Sequence, residues 1–159
     1  MHSRKLIPVL GVVLALGVTS PAFTAPPSAD TAAAAHGIRT FGFELFRSLY
    51  DAKGNEPVAI SPLSISEAMS LVTTGAEKET LGELESLFGT KSATLTRGVQ
   101  GLRSALTTYA KNSSGAFEFT SANALWGNSN PEFAFKFKPA FLNNARSAYG
   151  ATLHEENFK

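Results

Sequence analysis

Cysteine is absent from all 159 residues, while methionine occurs twice and tryptophan once. Without cysteine there is no disulfide framework and no thiol nucleophile, so stability has to come from packing alone. Histidine is almost as scarce, since only His36 and His154 lie beyond the first few residues. A zinc site would have to rest on carboxylates of unsuitable spacing, so neither a metal nor a cofactor is expected. No Gly-x-Ser-x-Gly elbow occurs, and no serine has a local partner that marks it as a nucleophile with its base. A glycine-rich phosphate loop is missing as well: Gly37, Gly42, Gly75, Gly82 and Gly89 fall at helix boundaries or singly within helices. An enzyme is therefore not expected. No repeat with a period of 20 to 50 residues is present, which excludes solenoids and propellers.

Hydrophobic residues make up 43% of the chain and charged residues 17%, with 12 Phe, a balance too apolar for a disordered polypeptide. The apolar run from Leu6 to Val18 follows Arg4 and Lys5, is short for a membrane span, and leads to the small residues Ser20, Ala22 and Ala25. That is the pattern of an export signal cleaved after Ala22, with an uncleaved N-terminal anchor as the alternative. No cysteine follows the run to accept a lipid. Removing residues 1–22 leaves 12 basic against 13 acidic residues, a formal charge of −1. The remaining Lys and Arg are scattered, which argues against nucleic acid or another polyanion as the main partner. Secretion to the extracellular space, with no stable membrane association after cleavage, is the expectation.

Residues 23–35 are low in complexity and read as a flexible lead-in. From His36 the spacing of Ile38, Phe41, Leu45 and Leu49 predicts a helix that stops at Gly54. The brief apolar run Pro57-Val58-Ala59-Ile60 predicts a buried strand. Ser64 and Glu67 have capping-box spacing ahead of a helix with Ile65, Met69 and Val72 on its inner stripe, ended by Gly75. Thr80 and Glu83 repeat the spacing ahead of Leu81, Leu84, Leu87 and Phe88, closed by Gly89. A further helix is expected over 95–109, with Val99, Leu102, Leu106 and Tyr109 aligned.

The run 116–126 places Phe117, Phe119, Ser121, Asn123 and Leu125 on one face and Thr120, Ala122, Ala124 and Trp126 on the other. Both faces are largely apolar, which predicts a strand inside a sheet covered on both sides. Phe133, Phe135 and Phe137 alternate and read as core rather than as a recognition stripe. Pro139 opens a helix that Gly150 ends, and residues 151–159 begin another extended segment. Asn112-Ser113-Ser114 fits a glycosylation acceptor, a triplet too common to assign on its own. The order of elements is that of an α+β fold with one or two visible sheet strands.

Ser61-Pro62-Leu63-Ser64-Ile65, Gly75-Ala76 and Thr80-Leu81, taken in order, resemble the N-terminal signature of the serpins, the serine protease inhibitors. Ala122-Asn123-Ala124-Leu125-Trp126-Gly127 is similar to a strand of that family's central sheet, and the likeness continues through Phe141–Tyr149 and Ala151–Phe158. The resemblance spans about His36 to the last residue. It implies the N-terminal part of a fold with one large sheet, two smaller ones and a helical shell. It also implies inhibition by a suicide mechanism, in which a reactive loop is cleaved by a serine protease and inserts into the main sheet. Ser61 and Ser64 match the family's shutter serines and would have a gating role. Local chemistry alone gives a plainer account, with Ser64 capping the helix and Ser61 satisfying backbone groups. Asn123 and Trp126 would be structural. The reactive loop matches nothing in these residues. The division expected is thus a signal peptide over 1–22, a lead-in over 23–35 and the N-terminal portion of a serpin domain over 36–159. Two readings follow: a serpin portion that does not inhibit by itself, or a secreted binding module that captures a strand on an exposed sheet edge.

Overall fold

The computed structural model describes residues 26–54, 56–132 and 136–158. The export signal expected over residues 1–22 lies outside them, as do Phe133 and Phe135. Helix α1 (Ala29–Lys53) begins seven residues earlier than the apolar spacing predicted. The lead-in expected over 23–35 is therefore helical from Ala29. Two causes are visible. Ser28 caps the helix by accepting the Thr31 amide at 3.2 Å, and the alanines that follow are strong helix formers. Thr31 and Ala34 are then buried against helix α4 (Ser92–Asn112).

The α1–α4 crossing depends on glycine. A Cβ on Gly98 would collide with the Asp30 carbonyl oxygen and the Ala34 methyl, and one on Gly101 would collide with the Thr31 hydroxyl. The two backbones thus approach closely, and Arg97 closes the rim with a 2.6 Å ion pair to Asp30. Its guanidinium holds the half-buried Asp30 carboxyl below the usual range, chiefly through that hydrogen bond. Phe41 of α1 packs on Phe88 with ring centres 5.3 Å apart, and Ile38, Leu95 and Val99 complete this part of the core.

Helix α2 (Pro62–Thr73) starts at Ser61 rather than at Ser64, with Pro62 in the first turn where a missing amide is harmless. Residues 57–60 lead into it without forming a strand. An extended run becomes a strand only beside a partner, and none flanks it among the described residues. Helix α3 (Lys78–Phe88) begins after Glu77, so Thr80 and Glu83 lie exposed within it and form no capping box. Gly89, at φ 60°, ends it as expected. Glu85 of α3 turns to α4 instead, accepting the Ser92 amide at 2.9 Å and Lys91 Nζ at 2.7 Å.

Strand β1 (Ala124–Asn128), helix α5 (Pro139–Tyr149) and strand β2 (Thr152–Glu156) form a parallel β-α-β unit. Parallel strands require such a crossover, and Gly150 in the left-handed region lets the chain turn sharply from α5 into β2. The register places Leu125 beside Leu153 and Trp126 beside His154. The strand expected over 116–126 is paired only from Ala124, and it is covered on one face. Phe117, Phe119, Ser121, Asn123 and Leu125 are half-buried, whereas Thr120, Ala122, Ala124 and Trp126 are exposed. Phe137 is half-buried and stacks on Phe141 at 5.5 Å.

Gly98→Ala is expected to lower stability by about 2 kcal/mol, because the added methyl forces α1 and α4 apart. Gly82→Ala, at an exposed point of α3 with nothing near the new methyl, should raise it by about 0.5–1 kcal/mol. Urea unfolding of the two variants side by side checks both signs.

Candidate functional site

The Ser61–Ser64 pair lies at the entrance to α2. Ser61 Oγ accepts the Ser64 amide at 3.4 Å, and the two hydroxyls are 2.8 Å apart. The capping roles are thus reversed from the local expectation: Ser61 is the cap and Ser64 lies one turn inside, its hydroxyl on its neighbour's. Pro62 fixes this arrangement by demanding the first helical position. Both serines are exposed among the described residues.

Behind them the same helix turns an unexpected face inward. Ser66, Glu67, Ser70, Leu71 and Thr73 are buried, whereas Val72 of the predicted stripe is 51% exposed. Glu67, expected to cap, is 1% exposed and sits at the centre of a polar network. Its Oε2 accepts Arg103 Nη1 of α4 at 2.9 Å, Asn123 Nδ2 at 3.3 Å and the Ser121 hydroxyl. Arg103 Nη1 also donates to Ser121 Oγ at 2.8 Å, and Asn123 Nδ2 also donates to the Tyr149 carbonyl at 3.2 Å. Glu67 Oε1 and Ser66 Oγ are buried with no partner among the described residues.

Tyr149 of α5 extends the network toward the core. It is fully buried, and its hydroxyl donates to Thr96 Oγ1 at 3.1 Å. Burial pushes its pKa above the usual phenol value, with Glu67 adding in the same direction and the hydroxyls of Ser70 and Thr96 opposing it. Three elements therefore meet on one carboxylate, α2, α4 and the segment entering β1, and Asn123 links it to the end of α5. The arrangement positions backbone segments. Sequence reasoning missed it because Glu67 fits a capping box. The available signal was the run Ser66-Glu67 with Ser70 and Thr73, a polar stripe at helical spacing on a helix otherwise rich in apolar residues.

Two measurements follow from these contacts. Ser61→Ala should cost about 1 kcal/mol in chemical unfolding, and Ser64→Ala clearly less, since only Ser61 receives a backbone amide. The Tyr149 phenol is raised in the folded state, so its stabilising contribution is complete below pH 10 and declines as pH rises beyond it, when the unfolded chain ionises first. Alkaline unfolding of Tyr149→Phe should lack that component while showing a loss of about 1 kcal/mol at neutral pH from the missing Thr96 bond.

The sequence model of the family described as "Serpin (serine protease inhibitor)" matches residues 36–159. Leukocyte elastase inhibitor of Xenopus tropicalis is 29% identical over 119 residues, covering 74% of this chain and 30% of that protein. Leukocyte elastase inhibitor A of Rattus norvegicus is 28% identical over 119 residues, covering 75% and 30%. Among solved structures, cleaved kallistatin complexed with heparin superposes with a TM-score of 0.64 at 22% identity, over 80% of this chain and 36% of that one. Reactive-loop-cleaved human thyroxine binding globulin gives 0.60 at 19% identity, over 81% and 37%. The chain thus spans about 30% of the length of the curated relatives it matches. With the family's segment matched from His36 to Lys159 and its fold reproduced in the helices and the β-α-β unit, the chain belongs to the serpin family.

Proposed function

We propose that this chain is the N-terminal portion of an exported inhibitor of serine proteases, and that it supplies scaffold rather than bait. The observation that carries this reading is the family match over residues 36–159 together with the third of the relatives' length that it represents. In this reading residues 1–22 direct export and are removed after Ala22, and the product acts outside the cell. Residues 28–35 then belong to the first helix of the domain and its cap rather than to a linker. The protein partner of the whole inhibitor is a serine protease. The protease's serine attacks a reactive loop supplied by residues other than these, and insertion of the cleaved loop into the central sheet traps the acyl-enzyme. Ser61 and Ser64 are proposed to gate that sheet. Their exposed hydroxyls, paired at the start of α2, support this because a moving strand can exchange the Ser61–Ser64 bond for one of its own.

A second reading is favoured by one observation: β1 and β2 are a two-stranded sheet among the described residues, with Trp126 and Phe158 about half exposed beside it. A protein of that kind captures an extended strand along its open edge and does not inhibit.

Incubation of the 159-residue chain with trypsin-like and elastase-like proteases should yield no SDS-stable adduct and no stoichiometric loss of activity. A covalent adduct would overturn the placement of the bait outside these residues. Sedimentation and thermal melting separate the two readings: a soluble monomer with one cooperative transition supports the binding module, and self-associating material with broad melting supports the scaffold.

A further inference from the structure

Glu67 presents an energetic puzzle. Its carboxylate is 1% exposed and the Arg103 side chain 20%, and one carboxylate oxygen is left without a partner among the described residues. A buried ion pair of this kind is seldom more stabilising than apolar side chains of the same volume. What the carboxylate does instead is select. The segment 116–122 approaches β1 without a sheet ladder, Asn123 meets β2 through one bond from the Thr152 amide to its carbonyl at 3.0 Å, and the inner face from 117 into β1 reads Phe117, Phe119, Ser121, Asn123, Leu125. Only the pair at 121 and 123 offers a hydroxyl and an amide two residues apart, and both donate to Glu67 Oε2. A slip of two residues in one direction would bring Phe119 and Ser121 to the carboxylate, and in the other Asn123 and Leu125. Either slip replaces a donor with a hydrocarbon beside a buried charge.

We propose that Glu67 is a positioning residue that reads Ser121 and Asn123 as a register key, fixing β1 against α2, α4 and β2 in one alignment. Arg103 completes the key by bonding both Glu67 and Ser121, and the Asn123 amide ties it to the end of α5. The strand and the helix that begins at Ser61 consequently move as one body. Residues outside the key have less to say about register, because a shift of two keeps every side chain of a strand on its own face. This assignment holds whichever protease, or none, the whole protein inhibits.

The lack of cysteine makes the test direct. In the full 159-residue chain, Ala124→Cys with Thr152→Cys reports the native register, in which these residues are opposite each other. Ala122→Cys with Thr152→Cys reports a slip of two, since in the native alignment those positions are too far apart for a disulfide. The native pair should close at least about tenfold faster. Combining each pair with Glu67→Leu/Arg103→Leu should reduce that ratio about fivefold or more while leaving the thermal midpoint unchanged or higher. An unchanged ratio would overturn the proposal, as would an equal fall in Leu95→Ala, a control that weakens the core without touching the key. Should the double variant lose its helical circular dichroism, Ser121→Val/Asn123→Val decides the matter. It leaves the Glu67–Arg103 pair in place, and the same loss of register is expected from it.

Discussion

A single carboxylate oxygen joins the helical layer of this protein to its sheet. Glu67 Oε2 receives donors from α4 and from the segment entering β1, and through Asn123 it reaches the last turn of α5. Charge buried to this degree is tolerable only when donors converge on it, and here they come from segments distant in sequence. The network therefore cannot form piecemeal, and it ties the placement of the strand to the placement of three helices. Tyr149 carries the same constraint inward, since its ring fills the core while its hydroxyl is held by Thr96.

Around this centre the remaining contacts divide into close backbone approach and ordinary burial. Gly98 and Gly101 let α1 lie directly on α4, so the early turns that Ser28 and the alanines open, back to Ala29, also bury Thr31 and Ala34. The Phe41–Phe88 contact joins α1 to α3, and Leu95 of α4 is buried in the same core. On the far side the β-α-β unit is half covered. Trp126 stacks on His154 at 4.5 Å between ring centres, yet Trp126 stays 55% exposed on the outer face. Phe43, at 70%, and Tyr50 project likewise from the outer face of α1. These surfaces are apolar where a free-standing small domain is ordinarily polar.

The helix ends were legible wherever one residue type dictates backbone geometry. Gly54, Gly89 and Gly150 stop helices as read from the sequence, and Pro139 opens one. The capping boxes were not, because Ser-x-x-Glu and Thr-x-x-Glu spacings also occur inside helices, where packing and not capping decides what the side chains do. At Ser64 the competing signal was Pro62, whose fixed φ claims the first turn and moves the cap to Ser61. At Thr80 the chain had already entered the helix from Glu77.

Sequence alone determined the family and the order of elements apart from the strand expected over 57–60, since the Ser61–Ile65 and Ala122–Gly127 segments carry a pattern that depends only on residue identity. It also grouped Phe117, Phe119, Ser121, Asn123 and Leu125 on one face of the run 116–126, because alternation is a local property of extended backbone, but it expected cover on both faces, and only the structure shows that this face alone is covered. Only the tertiary structure decided which face of α2 is buried. An apolar stripe of Ile65, Met69 and Val72 competes there with a polar one of Ser66, Glu67, Ser70 and Thr73, and the choice is made by Arg103, Ser121 and Asn123 arriving from elsewhere in the chain. A local pattern cannot announce donors 36 to 56 residues away, and the free energy of burying a carboxylate turns on those donors.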